Sequence, residues 1–327
     1  MTAVHTVRII PHERRISVPE DVPVLSAAQL AGLPLPHSCR SGRCGSCRAR
    51  LLSGQIDYVG GAPLGLSAQE AREGYVLLCQ ALPRSDLIVE ARLVQSAAVA
   101  EIKTLPSRIA RRVLLAPDVM RLVLRLPAVE AMEFQAGQYL DILLEGGQRR
   151  SYSVANAPQA GSQLELHVRH VAGGLFSEAV FTHLKEGALL KVEGPLGRFI
   201  YQSGLEPALF IAGGTGFAPI KAMLGQALAT DPERPLHLYW GARDAAGIYE
   251  EAVLRDWSQR HPRLRVRTVL GGHVHATVLQ EHPELDTFAI YAAGPPGMID
   301  AIRVSFPARG ARSEQLHLDS FDYAVSP

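Results

Sequence analysis

A multidomain chain of mixed α+β and α/β character is predicted by three observations. Four cysteines are confined to residues 39–79, short alternating apolar runs separated by turns fill 108 to about 194, and apolar strands alternate with helical patterns from 207 onward. The 327 residues exceed one ordinary core and suit domains of roughly 100 residues each. Hydrophobic residues make up 47% and charged residues 20%, the balance of a soluble globular protein. Lys and Arg (33) nearly cancel Asp and Glu (32), which leaves no electrostatic footprint for nucleic acid and no polybasic stretch for anionic lipid. The opening MTAVHTVRIIPHERRISV alternates like a strand and lacks the basic, apolar and small-residue zones of an export signal. A cytoplasmic protein with no membrane span is expected.

The first domain, over residues 1–94, carries all the thiols. Cys39, Cys44 and Cys47 lie in HSCRSGRCGSC and Cys79 in LLCQA, giving C-x4-C-x2-C and a distant fourth cysteine. In a reducing compartment such clustered thiols point to a metal or cluster, and this spacing is that of a plant-type [2Fe–2S] centre. Three thiolates must converge from one loop while the backbone amides turn inward, and Gly42 and Gly45 permit that turn. Structural zinc is the rival ligand, although its sites more often pair two C-x2-C motifs and the second pair is missing. Alternating runs at Val4 to Ile10 and Arg15 to Val18, a helical pattern from Val24 to Ala31 and a closing strand from Leu87 to Leu93 give a small α+β domain around one helix. Arg40, Arg43, Arg48 and Arg50 either offset cluster charge or form a solvated basic loop, and His37 reads as structural because all four cysteines are present.

Residues 95–107 lose periodicity and form a linker to a second domain over 108–203. Its strand-like runs, among them RIARRVLL, VMRLVLRL, QYLDILL, RSYSVAN and QLELHVRHV, have the spacing of an antiparallel barrel. On one strand Arg150 and Tyr152 share a face opposite Ser151 and Ser153. A guanidinium for phosphate beside a flat aromatic ring suits a flavin nucleotide. His167, Val168 and Arg169 end a strand, and Gly173 to Ser177 open a helix through His183 whose glycines would admit a pyrophosphate to the backbone amides.

The third domain, over 204–327, alternates ALFIAG, FAPIKAMLGQAL, PLHLYWG, YEEAVLRDWSQRH and LRVRTVL, the pattern of a parallel sheet covered on both faces. Gly213-Gly214-Thr215-Gly216 stands at one strand end without matching G-x-G-x-x-G, and Ala293-Gly294-Pro295-Pro296-Gly297-Met298 at another. Two such ends behind a flavin barrel point to nicotinamide binding. His273 and His275 beside Gly271-Gly272 read as a surface loop with no ligand partner at metal spacing.

Taken in order, CRSGRCGSC with Cys79, RSYS, HVRHVAGGLFS, EGPLGRF, GGTGFAP and AGPPGM resemble the ferredoxin–NAD(P)H reductase superfamily, in its members with an N-terminal plant-type ferredoxin domain. The resemblance covers essentially the whole chain. Oxygenase reductase components, such as that of naphthalene dioxygenase, and CDP-6-deoxy-glucoseen reductases are the two most similar subgroups; LHVRHVAGGLF and AGGTGFAPIKAM look particularly like the second. It implies a β-grasp ferredoxin domain, an antiparallel six-stranded flavin-binding β-barrel and a parallel-sheet nucleotide-binding domain. It further implies FAD held by Arg150, Tyr152, Ser153, His167, Val168, Arg169, Gly174, Leu175, Phe176 and Ser177, with Phe321 covering the flavin ring. Gly213, Gly214, Thr215, Gly216, Gly241, Arg243, Gly294, Pro295 and Met298 would serve the nicotinamide cofactor, with Ser153 and Thr215 nearest the chemistry. Ala293 departs from the cysteine that commonly precedes Gly-Pro in the family.

The activity implied is hydride transfer from a nicotinamide cofactor to FAD and then single-electron transfer through the [2Fe–2S] cluster to a partner protein. Gly241-Ala242-Arg243-Asp244 offers a poor clamp for a 2′-phosphate, which favours NADH over NADPH. An oxygenase component or its ferredoxin is the expected acceptor, with a CDP-deoxysugar dehydratase as the alternative. A zinc-stabilised, non-enzymatic scaffold is the more distant reading, and a monomer is expected.

Overall fold

The computed structural model describes residues 2–37, 40, 42–43, 45–93, 101–128, 132–158 and 163–321. Cys39, Cys44 and residues 95–100 of the expected linker lie outside them. The chain forms two compact units, residues 1–99 and 100–327.

In the first unit β1 (Val4–Ile10) pairs with β2 (Arg14–Pro19), and α1 (Val24–Leu30) follows. Next come β3 (Arg48–Ser53), β4 (Ile56–Tyr58), α2 (Ala68–Arg72), β5 (Tyr75–Leu77), β6 (Ala81–Pro83) and β7 (Leu87–Glu90). The sheet order is β2-β1-β7-β3-β5, with β4 and β6 in a separate ribbon. Val7 and Ile9 are fully buried between more exposed neighbours, so the alternation read in the sequence seats one face of β1 on the core. Val24, Leu25, Ala27 and Ala28 of α1 cover that face. Ser67 caps α2 by accepting from Glu70 N at 3.1 Å, while the Glu70 carboxylate accepts from Ser67 N at 2.8 Å. The closing strand stops at Glu90, short of Leu93, once its pairing with Ile10 ends.

The second unit opens with a six-stranded antiparallel sheet of β8 (Lys103–Ala116), β9 (Val119–Arg125), β10 (Tyr139–Leu143), β11 (Arg149–Ser153), β12 (Gln163–Arg169) and β13 (Leu189–Leu196). Helix α3 (Leu175–Thr182) lies between the last two strands. The order is β11-β10-β13-β8-β9-β12, and a bridge from Val154 to Leu166 joins the chain after β11 to β12. Strand β8 begins at Lys103, inside the expected linker. Leu105 and Ser107 are buried there while Thr104 and Pro106 are exposed, so a true alternation was hidden behind a proline on the outer face.

The remaining elements are β14 (Ala208–Gly213), α4 (Phe217–Thr230), β15 (Leu236–Ala242), α5 (Glu251–Arg260), β16 (Leu264–Leu270), α6 (Val274–Glu281), β17 (Ala289–Gly294), α7 (Pro296–Ser305) and β18 (Leu316–Ser320). All five strands are parallel, in the order β16-β15-β14-β17-β18. Strands β14 and β17 are buried throughout, which explains their continuous apolar runs. The order reverses between β14 and β17, and a ligand crevice belongs at such a switch. Helix α6 starts at Val274, because Val274 and Val278 are both buried at helical spacing; His275 is therefore helical, and only Gly271 to His273 remain loop.

Candidate functional site at the strand ends and the cysteine loop

In the first unit the cysteine loop is shaped by crowding. Gly42 has φ +75°, and a Cβ there would lie 2.8 Å from Pro63 Cβ, while one on Gly65 would lie 2.4 Å from the Arg43 carbonyl oxygen. Gly65 N donates to Gly42 O at 2.8 Å and Gln80 Nε2 to Arg40 O at 2.8 Å, so the segment after Cys79 holds the loop. Cys47 and Cys79 are both buried, and Leu78 N donates to Cys47 O at 3.2 Å, which joins the two cysteine-bearing segments. Two buried thiols, Cys47 on the glycine-turned loop and Cys79 on the segment that holds it, have the donor chemistry of a [2Fe–2S] centre, and the described residues fit it. His37 is engaged locally, with its ring nitrogens 2.8 Å from Gln29 Nε2 and 3.0 Å from Leu35 O.

The flavin-side residues divide. Arg150 donates to Arg149 O at 2.8 Å and, among the described residues, forms no ion pair, so its charge is open to a phosphate. Tyr152 packs on Phe176 at 5.3 Å between centroids, and burial raises its hydroxyl pKa. Ser153 is buried at the end of β11. Val168 and Phe176 belong to the hydrophobic core, while Leu175 is exposed. The wholly buried His167 has Nε2 2.8 Å from Glu165 Oε1 and Nδ1 3.1 Å from the Tyr249 hydroxyl. Both ring nitrogens are hydrogen-bonded within the protein, and the Val168 and Phe176 side chains pack in the core, so the backbone of these residues is what they offer most directly to a cofactor. Gly174 precedes α3 at 2.6 Å, measured from its absent Cβ to Ser177 Oγ, and that hydroxyl accepts from Val171 N at 3.2 Å.

The two glycine loops meet at the sheet switch. A Cβ on Gly216 would lie 2.0 Å from Ala293 O, one on Gly213 2.6 Å from Pro295 Cδ, and one on Gly294 3.0 Å from Gly213 N. These contacts leave no space for side chains. Trp240 stacks on Phe217 at 3.8 Å and donates from Nε1 to Gly214 O at 3.0 Å, which steadies the first loop. Phe321 N donates to Gly294 O at 2.9 Å, so the residue expected to cover the flavin does adjoin the second loop. Gly213, Gly214, Gly241, Arg243, Pro295 and Met298 line a cleft of about 1230 Å³; Thr215, Gly216, Gly294 and the residues of β11 do not. Arg169 lines it as well. Its guanidinium Nη1 stands 2.9 Å from where a Gly214 Cβ would be, so it faces the nucleotide loop in addition to any flavin role. Asp244 is spent on capping Gly247 N at 3.2 Å, and Arg243 is 88% exposed.

Sequence reasoning missed two features. The Ser320 hydroxyl is buried without a hydrogen-bond partner among the described residues at the end of β18, paired in register with Gly294, which fits a donor reserved for a bound cofactor. A buried charged group around Glu165 and Glu250 was also missed; the only signal was Glu165 alternating with His167 and Arg169 on one strand face.

Burial also fixes a pH response. It lowers His167, His317 and, with help from His282, His237, the last to about 4. These rings fold neutral, so their contribution is complete above the usual histidine value of 6.5 and is lost as pH falls below it. We expect the thermal midpoint to hold from pH 8 to about 7 and to fall steadily below about 6.5. A midpoint flat down to pH 4.5 in a melting series would contradict this burial.

The chain matches three families: a 2Fe-2S iron-sulfur cluster binding domain over residues 7–84, an oxidoreductase FAD-binding domain over 106–201 and an oxidoreductase NAD-binding domain over 210–304. It is 34% identical to the CDP-6-deoxy-L-threo-D-glycero-4-hexulose-3-dehydrase reductase of Yersinia pestis, over 91% of this chain and 92% of that one. Terephthalate 1,2-dioxygenase reductase component 1 of Comamonas sp. is 35% identical over 93% of both chains. A crystal structure of an Amycolatopsis cytochrome P450 reductase aligns with TM-score 0.78 at 32% identity, covering 97% of this chain and 98% of that one. With the cysteine loop, the flavin strand and the two nucleotide loops all inside matched regions, the chain belongs to the family of NAD(P)H-dependent flavin and iron–sulfur reductases that join a plant-type ferredoxin domain to a ferredoxin–NAD(P)H reductase core.

Proposed function

We propose that the chain takes its electrons from NADH and delivers them to the terminal component of an oxygenase. The observation that carries the site assignment is the meeting of the Gly213–Gly216 loop with Arg169 of β12, which puts the nucleotide crevice against the flavin-side sheet. The Val154–Leu166 bridge supports closure of the six strands into a barrel in the flavin domain read over residues 108–203, which β8 extends back to Lys103, with 204–327 read as the nucleotide domain. When bound, FAD accepts an electron pair and releases it singly to the cluster. Arg150 holds the flavin phosphate, Tyr152 supports the ring system against Phe176, and the Ser153 hydroxyl donates to the flavin edge. Thr215 and the glycines around it would seat the nicotinamide, and Phe321 would cover the flavin ring. Cys39, Cys44, Cys47 and Cys79 hold the cluster. The exposed Arg243 beside a spent Asp244 favours NADH over a cofactor bearing a 2′-phosphate. Among the described residues no helix is long and apolar enough to cross a membrane. We read the protein as a cytoplasmic monomer.

A CDP-deoxysugar dehydratase is the second reading for the acceptor, favoured by the 34% identity to the Yersinia pestis dehydrase reductase. Anaerobic titration with NADH, followed by electron paramagnetic resonance and by mixing with each class of acceptor, tests the whole reading. Flavin bleaching with a reduced [2Fe–2S] signal is expected, and a cluster that NADH cannot reduce would overturn it. Arg150→Ala is expected to weaken FAD retention by about 10- to 100-fold, the worth of a lost charge-assisted bond. Ultrafiltration of the variant checks this; full flavin retention would remove Arg150 from the site.

A further inference from the structure

Between the six-stranded and parallel sheets lies a buried group of charges that hydride transfer does not itself consume. Arg121 of β9 donates from Nη2 to Glu250 Oε1 at 2.7 Å. Lys221 of α4 donates to Glu165 of β12 and, at 3.1 Å, to Glu250. His167 joins Glu165 to Tyr249, the residue before Glu250. Burial disfavours the ionised Glu165, but its bond to His167 and the charge of Lys221 outweigh that and hold its carboxyl at about 2. Two cations therefore balance two carboxylates around a histidine that burial keeps neutral. Donor atoms of Glu165, His167 and Glu250 come within 4.8 Å of one another, yet Lys221 and Arg121 already supply the positive charge that a metal would bring.

Such a cluster is a poor way to gain stability, since packed apolar residues of similar volume serve as well or better. What it supplies is direction, because Lys221 and the two carboxylates each bridge more than one partner and so fix one another's geometry. The bonds lead to the nucleotide loop. Tyr249 meets Trp240 edge-on at 5.0 Å, and Trp240 holds Gly214 O through its indole nitrogen. Glu165, His167 and Arg169 alternate along β12, so the strand that anchors the cluster also presents Arg169 to Gly214. Strand β12 thus reaches Gly214 by two routes, one through Tyr249 and Trp240 and one through the close approach of Arg169.

We propose that Arg121, Glu165, His167, Lys221, Tyr249 and Glu250 form a positioning device, which fixes the nicotinamide loop against the flavin-side sheet at the separation where hydride transfer is fast. This rests on the reading that nicotinamide docks at Gly213–Gly216. None of the six touches the reacting atoms; they act through Trp240, Gly214 and Arg169.

The test is single-turnover reduction of the FAD-loaded holoprotein by NADH and by NADH deuterated at the transferred position, over a range of concentrations. The neutral double variant Glu165→Gln/Lys221→Met removes one pair without leaving an unpaired charge, and Tyr249→Phe removes a single hydroxyl. Because a displacement near 1 Å costs about 100-fold in such a step, the double variant should lose about 10-fold or more in limiting rate and Tyr249→Phe about threefold. Apparent NADH affinity should stay within about threefold, the isotope effect should rise, and Lys221→Arg should retain most of the rate. Reduction of the cluster from photoreduced flavin should be unchanged. Limiting rates and isotope effects equal to wild type, or a loss confined to NADH affinity, would overturn the proposal. Should the double variant shed its flavin, a wild-type rate in Tyr249→Phe would overturn it alone. Failure of NADH to reduce the wild-type flavin would instead remove the nicotinamide site, and the proposal with it.

Discussion

Cys79→Ser is expected to leave NADH-driven reduction of ferricyanide close to the wild-type rate while electron delivery to a protein acceptor falls by about 100-fold, because the flavin would then have to serve the partner directly. Cys79 follows β5 directly after the buried Leu77 and Leu78, and it shares the first unit's hydrophobic core with Cys47. Serine preserves the shape but is a poorer ligand for iron, so the variant tests the cluster without opening a cavity. The visible absorbance assigned to the cluster should vanish with the lost activity. Undiminished delivery by a cluster-free variant would mean that electrons leave from the flavin, and the first unit would need another role. Zinc in the purified wild-type protein in place of iron would return the distant scaffold reading.

Gly216→Ala is the second large effect. The φ of Gly216 is −57°, which alanine adopts freely, so the change acts through crowding alone. The new methyl would meet Ala293 O at 2.0 Å, its carbonyl carbon at 2.4 Å and Gly294 Cα at 2.8 Å. All three are backbone atoms at the end of β17, whose Ala293 pairs with Ala212 in the centre of the sheet. Relief requires the two loops to part, and the nicotinamide would be displaced with them. Flavin reduction by NADH should drop about 100-fold, whereas dithionite should still reduce both centres. Gly225→Ala, in the same α4 with its nearest contact at 3.3 Å from Ala157, is the control and should keep its activity. Equal NADH rates in both variants would mean that the Gly213–Gly216 loop does not seat the nicotinamide.

The parts of this site that were legible are those whose chemistry is local. Cysteine spacing with glycines between the ligands, and small residues at the ends of buried strands, state their purpose within a few positions. The start of β8 was obscured by Pro106, a strand breaker tolerated because it sits on the outer face. The reading of His167 followed its motif neighbours, and the pairing of its ring with Tyr249, 82 positions away, had no local signal. Arg121 and Glu250 are 129 positions apart, and no periodicity connects them. Charged residues scattered over three elements and the N-cap of a fourth carry no shared signal until the sheets are placed together.

Ala293 is wholly buried at the end of β17, and the chain's four cysteines all belong to the ferredoxin loop and its distant partner. The nucleotide crevice consequently offers no thiol to an alkylating reagent, the sulfur on its lining being the thioether of Met298. With the four cysteines as the cluster ligands proposed above, a reagent that reacts with thiols would find targets only where the iron–sulfur centre is missing, and the thiol titre of a preparation would gauge how much of it carries that centre.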